Sequence, residues 1–310
     1  MLAGEYAVLR PDGVALAVAI GEVVRATLAP GAPFATMRAF GQTFSLPPDA
    51  RNAGGLLGFA ARALGWLEQT HGLWLRSALT LDVTGAIGDA KVGLGTSAAV
   101  TVATLRAVLL DAGVTWTPGQ VADAARHIHG AGQGAGSGYD VTTIAFGGCI
   151  AYRRSPDRAE SLAWPEGLHG VALFSGQPAP TQAALDKIPM SDRHLDRIHR
   201  AAENLLAAWP GPPAAILDAL AACDAAFLAA ADADPSLVPG YVAALRARIA
   251  AHGCVARASG AGGGDCVLAF ADRAEPISRL ISDWQGQGGH VVAHFPADIA
   301  RIIGTRNEAT

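Results

Sequence analysis

Lys91-Val92-Gly93-Leu94-Gly95-Thr96-Ser97-Ala98-Ala99 sets two glycines and two hydroxyls where a loop runs into a helical stretch, Ala98 to Leu110, whose only charge is Arg106. Glycines let the backbone bend so that several N–H groups converge. A helix starting there adds unpaired N–H donors and the positive end of its dipole. Together these features make a seat for phosphate. A glycine loop on its own can equally just turn a corner. Two further glycine-rich runs, Gly130 to Gly138 and Ser259 to Asp265, tip the reading toward nucleotide chemistry. The loop is not a Walker A motif, because no Gly-Lys-Ser/Thr follows, and it does not match a dinucleotide fingerprint.

Three side chains carry candidate chemistry. Ser97, at the loop–helix junction, can ligate Mg²⁺ or donate to a phosphate, and can also serve as a simple N-cap. Lys91, one of only two lysines with Lys187, is either a point charge for phosphate or a solvated surface group. Asp140 follows the second glycine run and precedes an apolar segment. Its carboxylate can receive or orient a proton of an acceptor attacking phosphorus, or can act as a turn residue. Phosphoryl transfer asks for little more than a held triphosphate, neutralised charge and an aligned nucleophile.

The remaining composition narrows the class. The chain has 310 residues, 51% of them hydrophobic and 16% charged, enough for two packed domains. A net charge of −4 without a Lys/Arg cluster argues against nucleic-acid partners or an anionic membrane surface. Cys149, Cys223, Cys254 and Cys266 form no C-x-x-C pair, so reduced thiols are expected rather than zinc or disulfides. Asp218 and Asp224 interrupt the best apolar run, so no membrane span is expected, and the N-terminus has no signal-peptide pattern. The expectation is a soluble, cytoplasmic protein, monomer or homodimer.

The pattern of elements reads as α+β. Strands are expected at Val14 to Ile20, Val23 to Leu28 and Leu75 to Val83, and a helix over Gly54 to Gln69. Thr117-Pro118 opens a second helix running to about His129, and Val141 to Ala145 a short one. A polar loop, Ser155 to Gly167, marks a domain boundary, giving domains 1–165 and 166–310. Past it come strand Val171 to Phe174 and helices near His194 to Trp209, Ala214 to Ala231 and Pro239 to His252. Strand Cys266 to Phe270, helix Ala274 to Gln285 and strand His290 to His294 close the chain.

Read together, these segments resemble the GHMP kinase superfamily over nearly the whole chain. Its three motifs stand here as Gly4-Glu5-Tyr6-Ala7-Val8-Leu9, Gly93-Leu94-Gly95-Thr96-Ser97-Ala98-Ala99 and Ser259-Gly260-Ala261-Gly262-Gly263-Gly264-Asp265-Cys266. Within it the chain is most similar to the phosphomevalonate kinase branch. The segments behind this are Ala3-Gly4-Glu5-Tyr6, Gly136-Ser137-Gly138-Tyr139-Asp140-Val141, Gly147-Gly148-Cys149-Ile150-Ala151-Tyr152 and Gly176-Gln177-Pro178-Ala179-Pro180-Thr181. Mevalonate kinases share part of this pattern.

The resemblance implies a two-domain fold, an N-terminal ribosomal-S5-like and a C-terminal ferredoxin-like domain. It implies phosphorylation of 5-phosphomevalonate, or alternatively of mevalonate, with ATP and Mg²⁺ as cofactors. Gly93, Leu94, Gly95, Thr96, Ser97 and Ala98 would hold ATP, with Ser97 near the metal. Asp140 and Lys91 would be catalytic. Glu5, Tyr6, Ser137, Gly138, Thr181, Ser259, Gly260, Ala261 and Gly262 would bind substrate. Arg193 and Arg197 are further cation candidates. Relatives carry a lysine just before Ala-Gly-Glu-Tyr. The chain as given begins at Met1, so a first strand truncated by start assignment is expected, a catalytically silent relative being the alternative.

Overall fold

The computed structural model describes residues 1–21, 23–46, 54–84, 86–87, 90–91, 93–133, 136–155, 158–177, 190–232 and 234–300, with 86–87, 90–91 and 133 as backbone alone. Contacts divide the chain into two compact units. Unit 1 is Met1–Gly21 with Gly148–Ile299, and unit 2 contains Glu22–Gly147. These contact units part at Gly21 and Gly147, whereas the sequence reading draws its domain boundary at 165/166.

Unit 2 pairs β2 (Val24–Ala29), β5 (Ala78–Val83), β3 (Phe34–Ala39) and β4 (Gln42–Leu46) in the order β2-β5-β3-β4, with β3 and β5 parallel. Its helices are α1 (Gly55–His71), α2 (Thr96–Ala112), α3 (Pro118–Gln133) and α4 (Tyr139–Phe146). Alternation along the strands turns Met37, Leu79 and Leu81 onto Phe59 and Ala60 of α1 and Val100 of α2. Leu67, Leu105, Val108, Val121, Ile128 and Val141 knit the four helices together. Thr117 and Gln120 close a reciprocal capping box at the start of α3: Thr117 N–H donates to Gln120 Oε1 at 2.9 Å, and Gln120 N–H to Thr117 Oγ1 at 3.3 Å. The helix then runs through Gly130 and Gly132, which the sequence reading assigns to a loop.

Unit 1 holds two sheets. In the first, β1 (Val14–Val18) pairs with β8 (Cys149–Arg153), and β8 with β9 (Arg158–Leu162). Strand β9 lies inside the segment expected to be a polar loop. The second sheet is antiparallel, in the order β11 (Val255–Ala258), β12 (Cys266–Ala271), β10 (His169–Phe174), β13 (Val291–Phe295). Numbered along the chain, that order is 2-3-1-4, the ferredoxin-like connection.

Ala172, Leu268 and Phe270 face α5 (Asp192–Ala208) and α6 (Pro213–Ala231), through Leu205, Trp209, Ile216 and Leu220. Val171, Leu173, Val267 and Ala269 face α7 (Gly240–Ala251) and α8 (Ala274–Gly286), through Leu245, Ile249 and Leu280. With both faces covered, β12 is buried along its whole length, which explains its unbroken apolar run.

Two expectations meet the structure here. Helix α6 is long and apolar enough to cross a membrane by length and composition, with a mean hydropathy of 1.8, so Asp218 and Asp224 do not break it as expected. Alanines dilute the two acids, Asp224 is paired with Arg246, and Ile216, Leu220, Cys223 and Phe227 are buried in unit 1. The four cysteines are free and buried, and burial pushes the thiols of Cys149, Cys223 and Cys266 up to about 12.

Candidate active site

Helix α2 starts from Gly95, and α4 from Gly138, both in the left-handed conformation (φ 70° and 74°) and neither with a side-chain cap. An N-cap is ordinarily extended. A left-handed residue followed by a right-handed one turns consecutive N–H groups to one side, an anion-binding nest. At 138 a side chain is also excluded by packing, because the Cδ of Arg126 lies 2.6 Å from where a Cβ would stand. Arg126 donates to Thr142 Oγ1 at 2.9 Å, fastening α3 to the first turn of α4.

Ser97 is the second residue of α2, not its cap, which removes the N-cap reading. Its Oγ lies 3.0 Å from Nε2 of His129. The next hydroxyls of the helix turn inward, Thr101 Oγ1 donating to Ser97 O at 2.9 Å and Thr104 Oγ1 to Val100 O at 2.7 Å. His129 is buried and stacks on Phe59, ring centroids 4.8 Å apart. The guanidinium of Arg62 sits 4.7 Å from the Phe59 centroid, with its Nε buried and without a hydrogen-bond partner.

Burial lowers the pKa of His129. The charge of Asp140 acts against that shift, and Arg62 adds to it. Asp140 itself stands in the first turn of α4, and its Oδ1 accepts the Val141 N–H at 2.9 Å. Ser97, His129, Asp140 and Arg62 therefore form one electrostatic neighbourhood in unit 2. Sequence reasoning named Ser97 and Asp140 as candidates and not the other two. A lone His or Arg on an apolar helix face carries no signal of its own.

Unit 1 gathers the first and third motifs. Tyr6 Oη donates to the Ala261 carbonyl at 2.6 Å, and Tyr241 Oη to that of Gly263 at 2.9 Å. The Ser175 N–H donates to Asp265 O at 2.7 Å, and the Asp265 N–H to Gln177 O at 2.9 Å, so the Gly176 turn and the third motif are laced together. Glu5, expected at the substrate, is instead turned into the interior of unit 1. It is 1% exposed and ion-paired with Arg257, which is 0% exposed and donates from Nε to Leu2 O at 3.0 Å. Asp224, paired with Arg246, places its Oδ1 3.7 Å from Arg257 Nη1. Burial raises the Glu5 pKa, and Arg257 offsets only part of that.

The backbone of Lys91 pairs with Ala86 in a short hairpin, β6 (Ala86–Ile87) and β7 (Ala90–Lys91). The Lys91 side chain and all of Thr181 lie outside the described residues. Arg193 and Arg197 are exposed on α5. Among the described residues no group of three or more His, Cys, Asp or Glu is suited to a metal ion. Mg²⁺ keeps waters and substrate phosphates and takes only one or two protein oxygens. The Ser97 hydroxyl and the Asp140 carboxylate are donors of that kind.

Two helix ends turned by left-handed glycines are of the kind that can seat an anion. Family models agree. "GHMP kinases N terminal domain" matches residues 58–148 and "GHMP kinases C terminal" residues 214–290, together more than half of the chain. The chain is 32% identical over 146 residues to a mevalonate kinase of Thermococcus sibiricus, covering 46% of this chain and 43% of that protein, less than half its length. It is 28% identical over 231 residues to a homoserine kinase of Synechococcus, covering 71% and 70%. The fold matches that of the Streptococcus pneumoniae phosphomevalonate kinase in complex with phosphomevalonate and AMPPNP, with a TM-score of 0.80 and 20% identity over 94% of this chain and 96% of that one. The chain belongs to the GHMP kinase family. Its members are small-molecule kinases that use ATP.

Proposed function

We propose that this kinase transfers the γ-phosphoryl group of ATP to the phosphate of 5-phosphomevalonate, giving 5-diphosphomevalonate and ADP. The observation that carries the reading is the fold match to a phosphomevalonate kinase over nearly the full length of both chains. The motif segments around Gly4-Glu5-Tyr6 and Gly136 to Val141 support it.

An acceptor phosphate oxygen forms a bond to the γ-phosphorus as the bond to the β–γ bridging oxygen breaks, and ADP leaves with the electron pair. A phosphate monoester is already ionised at neutral pH, with its second pKa at about 6, so this acceptor needs no base. Asp140 then positions the acceptor. The backbone N–H groups of Gly93 to Ala98 cradle the ATP phosphates, and Lys91 is assigned to them as a cation. Ser97 would hold Mg²⁺, which would supply charge neutralisation on the phosphates. Ser137 and Gly138 in the N-terminal half, taken functionally as 1–165, and Thr181 beyond it are proposed as acceptor contacts. In unit 1 the Tyr6–Ala261 pair and the turn Ser259 to Gly262 are proposed in the same role, while Glu5 is reassigned to the buried pair with Arg257.

Mevalonate is the second reading, favoured by the identity to the Thermococcus sibiricus enzyme. Its acceptor is a hydroxyl, and Asp140 would then act as general base. A coupled ADP-release assay offering phosphomevalonate, mevalonate and homoserine in parallel decides between them. Turnover of phosphomevalonate at a kcat/KM at least a hundredfold above the others is expected. Preference for mevalonate or homoserine refutes the first reading.

A further inference from the structure

We propose that His129 is a positioning residue that fixes the direction of the Ser97 hydroxyl for the metal–nucleotide. The proposal rests on the kinase reading but not on the identity of the acceptor. Its geometric basis is the 3.0 Å contact between Nε2 and Oγ, which joins the last turns of α3 to the first turn of α2 across 32 residues of sequence. A serine in a first helical turn has several rotamers and competing partners. Here one of them is selected by a ring that has little freedom itself. His129 is 5% exposed, and its plane is set by the stack on Phe59, which in turn lies under the Arg62 guanidinium.

The chemistry follows from the inventory of a hydroxyl, one proton and two lone pairs. A neutral imidazole whose Nε2 accepts the Ser97 proton uses up the donor. A hydroxyl whose proton is engaged in this way can turn a lone pair to a hard cation, which prefers oxygen donors. With that hydrogen bond removed, the hydroxyl regains its rotamers and its proton competes for the phosphates. Groups that orient a ligand to a metal in this way change metal affinity by about ten- to a hundredfold when removed.

The test is a double-mutant cycle of His129→Phe, which keeps the aromatic stack without the hydrogen bond, and Ser97→Ala. The readout is equilibrium binding of ATP by the full chain with Mg²⁺ and with EDTA. Each single variant is expected to lose about tenfold of the Mg²⁺-dependent gain in affinity, with affinity in EDTA held within twofold. The double variant is expected to lose no more than either single one, and His129→Gln, which keeps a hydrogen-bonding side chain, to recover part of the loss. Losses that multiply in the double variant, or that fall equally on the EDTA measurement, overturn the proposal in favour of packing alone. A wild-type chain that binds no ATP instead refutes the kinase reading.

A second measurement needs no change at His129. In ¹⁵N-histidine-labelled protein, the Nε2 resonance of His129 is expected to move on Ser97→Ala, because an accepted proton is withdrawn. An unmoved resonance shows that the two groups are not hydrogen-bonded and also overturns the proposal.

Discussion

Arg257→Met tests the buried charge cluster of unit 1. Arg257 and Glu5 are 0% and 1% exposed, and Asp224 keeps Arg246 when Arg257 is removed, so the group left stranded is Glu5. Breaking a buried pair from one side costs about 3–5 kcal/mol, because an uncompensated charge stays in a low-dielectric interior. Glu5 can escape by taking up a proton, so the loss depends on pH. Burial already raises its folded-state pKa, and removing Arg257 takes away the main opposing influence. A folded-state pKa above the unfolded one gives stability that is complete below about pH 4 and is lost as pH rises to the folded value. The deficit of the variant should therefore be small at pH 5 and grow toward pH 8, by about 1.4 kcal/mol for each unit of that window. Urea unfolding of the full chain at both pH values, followed by fluorescence, reads this directly, since Trp209 is buried in the same unit. Pairing the change with Glu5→Leu should restore most of the loss, because no charge is then left alone. A deficit equal at both pH values, or below about 1 kcal/mol, would refute the reasoning and reduce Arg257 to a space-filling side chain.

Asp140→Asn is expected to lower kcat by about 10²- to 10⁴-fold, nearer the lower figure for a phosphate acceptor, with ATP affinity little changed. Steady-state kinetics with both acceptors measure it, and near-normal turnover would remove Asp140 from the site. Asp111 fastens the chain ahead of β5 to α2, accepting from Ser77 Oγ at 2.6 Å, from Ser77 N–H at 3.0 Å and from Arg76 N–H. Burial alone would raise its pKa, but these hydrogen bonds together hold it below the usual carboxylate value. Its stabilisation is thus present above about pH 4 and lost as pH falls through the folded value. Asp111→Asn should lower stability at pH 7 by about 1–3 kcal/mol and flatten the acid limb of unfolding. An acid limb as steep as in the parent protein would count against this.

Those parts of the chain whose local pattern and tertiary setting agree were legible in the sequence. The helix after Ser97, the strand Cys266 to Ala271 and the Thr117 cap all follow from neighbours in the chain. Strand β9 was missed because Arg158-Ala159-Glu160-Ser161-Leu162 is short and polar, and only its pairing with β8 makes it a strand. Gly130 and Gly132 read as a loop by propensity, yet the helix runs through both, and at Gly132 it lies so close to Phe59 and Arg62 that a Cβ would clash with them. At the site the limit was distance along the chain. Glu5 and Arg257 are 252 residues apart and Ser97 and His129 are 32, and no spacing rule connects such pairs. The motif match picks out the glycine helix starts, which are local, and gives no sign of the burial of Glu5 against Arg257, which is not.

The two glycine helix starts show why the cradle was the legible part. The N-caps of α1, α5, α6 and α8 are all extended, and the Ser191 side chain caps α5 by accepting the His194 N–H. Only α2 and α4, among helices whose caps are described, begin from a left-handed glycine without a side-chain cap. A Ser or Asp cap at either position would add about 1 kcal/mol to the helix. It would also occupy the N–H groups that a phosphate needs and forbid the left-handed turn that points them outward. Helices α1, α6, α7 and α8 also lack a side-chain cap, but none of them has a left-handed N-cap, and the two that do carry Ser97 and Asp140. Those two left-handed starts leave N–H groups for an anion to pair, and they are the ends of unit 2 whose order should rise most when nucleotide binds.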